Sequence, residues 1–188
     1  SGSTATGSFR LPANGNLNAG PRLDMRWKLT AVSATQAFVD IDWTIVNDKT
    51  TTMDVQFFSF NDMNAPSSPS DTGTYDSTNR RFTFSGTGGF STVTAKNLSS
   101  NVTFAGYEMN TASTLKTKLT DNGVAVFSNS VANGSGSIAA AFQFGMSLTP
   151  GQQASGRITR GYNAVPEPGT MVALAAGLGL IARRRRKS

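Results

Sequence analysis

In the stretch Leu23-Asp24-Met25-Arg26-Trp27-Lys28-Leu29-Thr30-Ala31, every odd position is apolar and every even position is polar or charged. That period of two belongs to a strand with one buried face; a helix would place its apolar residues three and four apart. Residues 38–46 repeat the pattern, with Val39, Ile41, Trp43 and Ile45 on one face and Asp40, Asp42 and Thr44 on the other. Residues 138–148 do so again, with Ile138, Ala140, Phe142, Phe144, Met146 and Leu148 sharing a face. The segments between these runs read the same way. Residues 53–60 form a strand crowded by Phe57, Phe58 and Phe60, and residues 74–84 form a hairpin around Asp76-Ser77-Thr78-Asn79. Residues 90–96 and 101–109 are two more strands. Residues 114–120 and 124–127 flank Asp121-Asn122-Gly123, a tight-turn signal. Beyond Pro150-Gly151, residues 154–162 make a last strand. No segment before residue 169 carries a helical apolar stripe. Nine or ten short strands, at the roughly 8–12-residue spacing of β-sandwiches, predict an all-β, antiparallel sandwich or jelly roll over residues 22–162. Its core comes from an aromatic complement of 12 Phe, 2 Trp and 3 Tyr. Residues 1–21, rich in Gly, Ser, Thr and Asn, read as a flexible leader with at most one short strand.

Composition narrows the chemistry. The 188 residues include no Cys and no His. That excludes disulfides, thiol nucleophiles, Cys/His zinc sites and every imidazole base, and with it the Ser-His-Asp triad. The net charge of +6 invites a nucleic-acid reading, but its location argues against one. Arg183, Arg184, Arg185, Arg186 and Lys187 face only Glu167 in the last 23 residues, and the preceding chain is close to neutral. A terminal cluster of cations meets phosphate in a lipid headgroup as readily as in a nucleic acid, so what precedes it decides.

What precedes it is apolar. Residues 163–168 form an extended linker containing Pro166-Glu167-Pro168, where each Pro fixes its own φ and disfavours helix in the residue before it. Residues 169–182 carry no charge and read as a short transmembrane helix, about 21 Å long at 1.5 Å per residue. That is short against a hydrocarbon core of about 30 Å, a difference that snorkelling Arg and local thinning reduce. Residues 183–188 are then a basic cytoplasmic tail by the positive-inside rule, which leaves the β body on the other side of the membrane.

This order resembles the PEP-CTERM sorting signal: Pro166, Glu167 and Pro168 match the motif, residues 171–182 the apolar stretch, and Arg183 to Arg186 the cluster. The resemblance covers residues 165–188 and leaves the body unassigned. It implies an exported protein of a Gram-negative bacterium, held in the inner membrane with its body on the periplasmic side. It also implies recognition by an exosortase, a membrane-embedded cysteine transpeptidase, with cleavage near the motif and delivery to the cell surface or extracellular matrix.

In the body, Asp40 and Asp42 share a strand face, with Asp24 on the neighbouring strand. They are candidate Ca²⁺ ligands, or else a solvated face paired with Arg26 and Lys28. Tyr75 and Tyr162 are candidate exposed ligand contacts of a sugar-stacking kind, whereas Trp27 and Trp43 lie on apolar strand faces and read as core. Glu108 is the body's single Glu, so a hydrolase would have to rely on Asp pairs. No cofactor is expected. The leading expectation is a non-enzymatic surface or matrix protein with a structural or adhesive role. The alternatives are a carbohydrate-binding module for extracellular polysaccharide, and a secreted hydrolase.

Overall fold

The computed structural model describes residues 2–11, 20–63, 72–120, 125–131 and 138–164. Among these are eleven strands and one helix. In chain order they are β1 (Gly2–Arg10), β2 (Arg22–Ala31), β3 (Gln36–Val46), β4 (Met53–Asp62), β5 (Thr72–Asp76), β6 (Arg81–Gly86), β7 (Gly89–Asn97), β8 (Thr103–Thr111), α1 (Ala112–Thr120), β9 (Ser130–Val131), β10 (Ile138–Leu148) and β11 (Gln153–Ala164). A seven-stranded sheet runs β1-β2-β3-β11-β7-β6-β5, and a four-stranded sheet runs β4-β10-β8-β9. The pairings are antiparallel except the short one between β8 and β9. The protein is all-β; seven strands over four are not the two Greek keys of an eight-stranded jelly roll.

One core joins the two sheets. Trp43 of β3 lies 4.7 Å from Phe57 of β4 and 5.3 Å from Phe144 of β10, ring centre to ring centre. Phe82 of β6 lies 5.0 Å from Phe142 of β10. Ile45, Phe84, Val93, Ile138 and Leu148 are among the other residues buried in this core. The Trp43 indole occupies room that Gly156 of β11 leaves open, since a Cβ there would come within 2.3 Å of its ring.

Two segments depart from the sequence reading. Residues 2–10 are not a flexible leader: β1 pairs with β2 along its whole length, from Gly2↔Thr30 to Arg10↔Arg22. It is an edge strand with nearly every side chain exposed, so no buried face imposed a period of two. Backbone pairing holds it, helped by Ser8 Oγ donating to Asp24 at 2.6 Å and by an Arg10–Asp48 ion pair.

Residues 114–120 are not a strand but lie in α1. Thr111 Oγ1 caps the helix, accepting from the Thr114 N–H at 3.3 Å. Leu115 is fully buried, and Leu119 follows one turn later against the same small cluster. The Thr117 and Thr120 hydroxyls donate to the carbonyls of Ser113 and Lys116 at 3.0 and 2.9 Å, so these β-branched residues are satisfied inside the helix. The expected turn at residues 121–123 lies outside the described residues, and residues 125–128 are not a strand. The helix covers the outer face of β10, which explains why Ala139 and Ala141 are buried as completely as Phe142 and Phe144.

Gly156→Ala should lower stability by about 1–3 kcal/mol, because the added methyl meets a rigid buried ring. Urea denaturation would register this as a lower midpoint with an unchanged slope.

Candidate functional site

The last strand of the body leads directly to the sorting motif. β11 sits in the middle of the large sheet, paired with β3 from Gln153↔Val46 to Asn163↔Gln36 and with β7 from Gly156↔Asn97 to Ala164↔Gly89. It therefore runs through Asn163 and Ala164, two residues into the stretch read as linker. Its end is closely held, with the Ala164 N–H donating to the Thr35 carbonyl at 2.9 Å. Gly89, at φ 134°, lets the two chains meet there, since a Cβ would come within 2.1 Å of the Asn163 oxygen. Pro166, Glu167, Pro168, the apolar segment and Arg183 to Lys187 lie outside the described residues. Among the described residues no helix is long and apolar enough to cross a membrane.

The candidate acidic pair is committed to neighbours across the sheet. Asp42 takes the Arg157 guanidinium in a two-pronged contact, at 2.5 Å from Nε and 3.1 Å from Nη2. Asp40 accepts from the Thr159 hydroxyl at 2.7 Å. The bond to Asp42 raises the Arg157 pKa above its ordinary value, against the opposing effect of burial. Asp24 is held by Ser8 and Arg22. Among the described residues no three acidic side chains come together as a cation would require.

The two candidate tyrosines part company. Tyr75 is half-buried and stacked on Tyr107 at 3.7 Å, with Phe82 at 4.7 Å. Burial, then the neighbouring Tyr107, pushes its pKa up to about 12. Its ring thus belongs to the end of the core. Tyr162 is exposed and stands on the rim of a cleft of about 360 Å³ between the sheets, walled by Trp27, Trp43, Phe57 and Arg160. Arg160 spans the cleft, with Nε donating to Asn61 Oδ1 at 2.9 Å. Trp27 is half-buried, packed against the core from β2.

Sequence reasoning missed one buried charge. Glu108 on β8 is 1% exposed, and Lys118 of α1 donates to both its oxygens at 2.7 Å. The Ser128 N–H adds a third bond at 3.0 Å. Burial alone would raise the Glu108 pKa, but these donors outweigh it and hold the carboxyl below the ordinary glutamate range. A carboxylate so fixed does not release and recapture a proton near neutrality, as a general acid must.

A family model of the PEP-CTERM protein-sorting motif matches residues 164–187. The chain carries that motif at its C-terminal end, starting at the final residue of β11. No curated protein matches the chain.

The lowered pKa of Glu108 sets a sign. Its contribution to stability is complete above the ordinary glutamate value of 4.5 and is lost as pH falls through the lower folded-state value. Glu108→Gln should cost about 2 kcal/mol at neutral pH, because Lys118 loses its partner. It should also flatten the fall of melting temperature with pH on the acid side, as thermal unfolding across the acid range would show.

Proposed function

We propose that this chain is an exported surface or matrix protein, non-enzymatic in its body, and delivered by an exosortase that recognises its C-terminal segment. One observation carries the reading: the sorting-motif match begins where the folded sheet stops. The processing enzyme would act on Pro166-Glu167-Pro168, where each proline fixes its own φ. Residues 169–182 anchor the precursor in the inner membrane with the Arg cluster cytoplasmic, and the body outside the cytoplasm. After cleavage the body moves to the cell surface or beyond it.

The structural or adhesive role rests on what the body offers. Among the described residues, Asp42, Asp40 and Glu108 are engaged with Arg157, the Thr159 hydroxyl and Lys118, so these three carboxylates are already committed to partners within the fold. The carbohydrate-binding alternative keeps Tyr162 and Trp27 at an open cleft but loses Tyr75 to the core.

Glu167 places a single negative charge between two prolines, suited to a cationic subsite of the processing enzyme. In cells with the enzyme, Glu167→Ala should leave full-length protein in the inner-membrane fraction while the parent chain is shortened and released. Normal shortening of the variant, read by mass spectrometry, would remove Glu167 from recognition.

A further inference from the structure

The large sheet has two unlike ends. At the end holding the β3–β4 and β10–β11 turns, charge gathers: Arg10 is paired with Asp48, and Asp76 approaches Arg81 at 3.6 Å towards the same end. The opposite end is the one where β11 finishes. The β2–β3 and β6–β7 turns lie there, by the registers Ala31↔Ala37, Gly86↔Gly89 and Ala164↔Gly89.

Exposed large apolar side chains concentrate at that second end. Val32 is 57% exposed, Leu29 45%, Phe90 42% and Tyr162 39%. All four lie within a few residue pairs of the β11 terminus, since Asn163 pairs with Phe90, Tyr162 with Ala37, and Val39 with Leu29. Of the other three described residues of this kind, Phe9 and Leu98 lie towards the opposite end, Phe9 paired with Leu23 and Leu98 bonded to the Ser155 carbonyl, and Val126 is in no strand. Residues 28–39, 84–92 and 160–164 at this end of the sheet contain no carboxylate and include Lys28 and Arg160; Asp40 stands directly across from Lys28. On the small sheet Asp62 lies at the same end, beside the Phe60 and Asn61 contacts of Arg160.

The tether is short. Five Cα steps separate Ala164 from Gly169, which span at most about 16–18 Å when extended. The polar layer of one leaflet takes up roughly 5–8 Å of that reach. A body so tied to a membrane-spanning segment cannot move far from the lipid surface, and the end it turns towards the lipid is the one that carries Leu29, Val32, Phe90 and Tyr162.

We propose that this end of the sandwich is a lipid-apposed face. While residues 169–182 span the bilayer, Leu29, Val32, Phe90 and Tyr162 rest in the headgroup layer of the leaflet facing the body, with Lys28 near its phosphates. The inference depends on the membrane-anchor reading of the tail. It adds an orientation of the body and a consequence for processing. Residues 165–168 are held at the level of the lipid surface, where a membrane-embedded enzyme works. Once they are cut, four side chains make only a weak hold, and the body departs.

The absence of cysteine makes the test clean. Val32→Cys, Phe90→Cys and, at the opposite end, Thr50→Cys each accept one environment-sensitive fluorophore. The full chain is reconstituted into phosphatidylcholine–phosphatidylglycerol vesicles that include lipid with a quencher near the headgroup. Labels at positions 32 and 90 should be quenched about twofold more than the label at 50, in protein that resists carbonate extraction. Adding Leu29→Ser and Phe90→Ser to the Val32→Cys chain should remove most of that difference. Equal quenching at both ends in carbonate-resistant protein overturns the orientation and leaves the anchor standing. Quenching that survives the two Ser changes overturns the role of the side chains, because the tether alone then sets the position. Extraction by carbonate overturns the anchor and the face together.

Discussion

The structure depends on two apolar sheet faces meeting, because a chain with no cysteine has no covalent staple. Trp43, Phe57 and Phe144 form one knot of rings across the sheets, and Phe82, Phe142 and Phe104 continue it along β10. Such a core demands strict register. Sliding any strand by one residue would turn its apolar set outward and bring its charges in. In β3 that would put Asp40 and Asp42 where Ile41 and Trp43 now sit, and would break the contacts to Thr159 and Arg157 on β11. Packing on one face and pairing on the other thus specify the same alignment.

The strands that bury a single face were legible for that reason. β2, β3 and β10 announced themselves by period two, and the hairpin of β5 and β6 by its turn residues. β1 was not legible, because a solvated edge strand has no inside to leave a pattern. α1 was hidden by its composition. Five of its nine residues are Ser, Thr or Ala, and the pair Leu115 and Leu119 is a stripe only once β10 is known to lie beneath it. Residues 114–120 carry five Thr and Leu positions that suit a strand equally well, and tertiary contact decided between the two.

The site residues divide on the same line. The sorting segment is local, so its order of motif, apolar run and cations could be read directly. The fate of Asp40, Asp42 and Glu108 could not, because each is decided by a residue far along the chain. Arg157 lies 115 residues from Asp42. Lys118 is 10 residues from Glu108, but only the helix turns it back onto β8. Tyr75 looked exposed because its turn-rich surroundings are polar, yet Tyr107, from the other sheet, closes over its ring.

The place of β11 in the topology bears on how such a protein is delivered. β11 is the last of the described strands in chain order and the one that joins β1-β2-β3 to β7-β6-β5. Until residues up to Ala164 are available, the large sheet is two separate meanders, each with an open edge and an uncovered apolar face. Long-range pairing of this kind is slow and is completed only when the C-terminal strand inserts. On the export reading, the body cannot close before its final strand has crossed, when the apolar segment just behind it has reached the membrane. Under the proposed export, folding would finish only on the outer side, and closure of the sheet would end at Ala164, where the sorting-motif match begins. A C-terminal strand at an edge of the sheet would impose neither condition, since the rest could fold without it. The central position of β11 therefore couples completion of the fold to presentation of the motif.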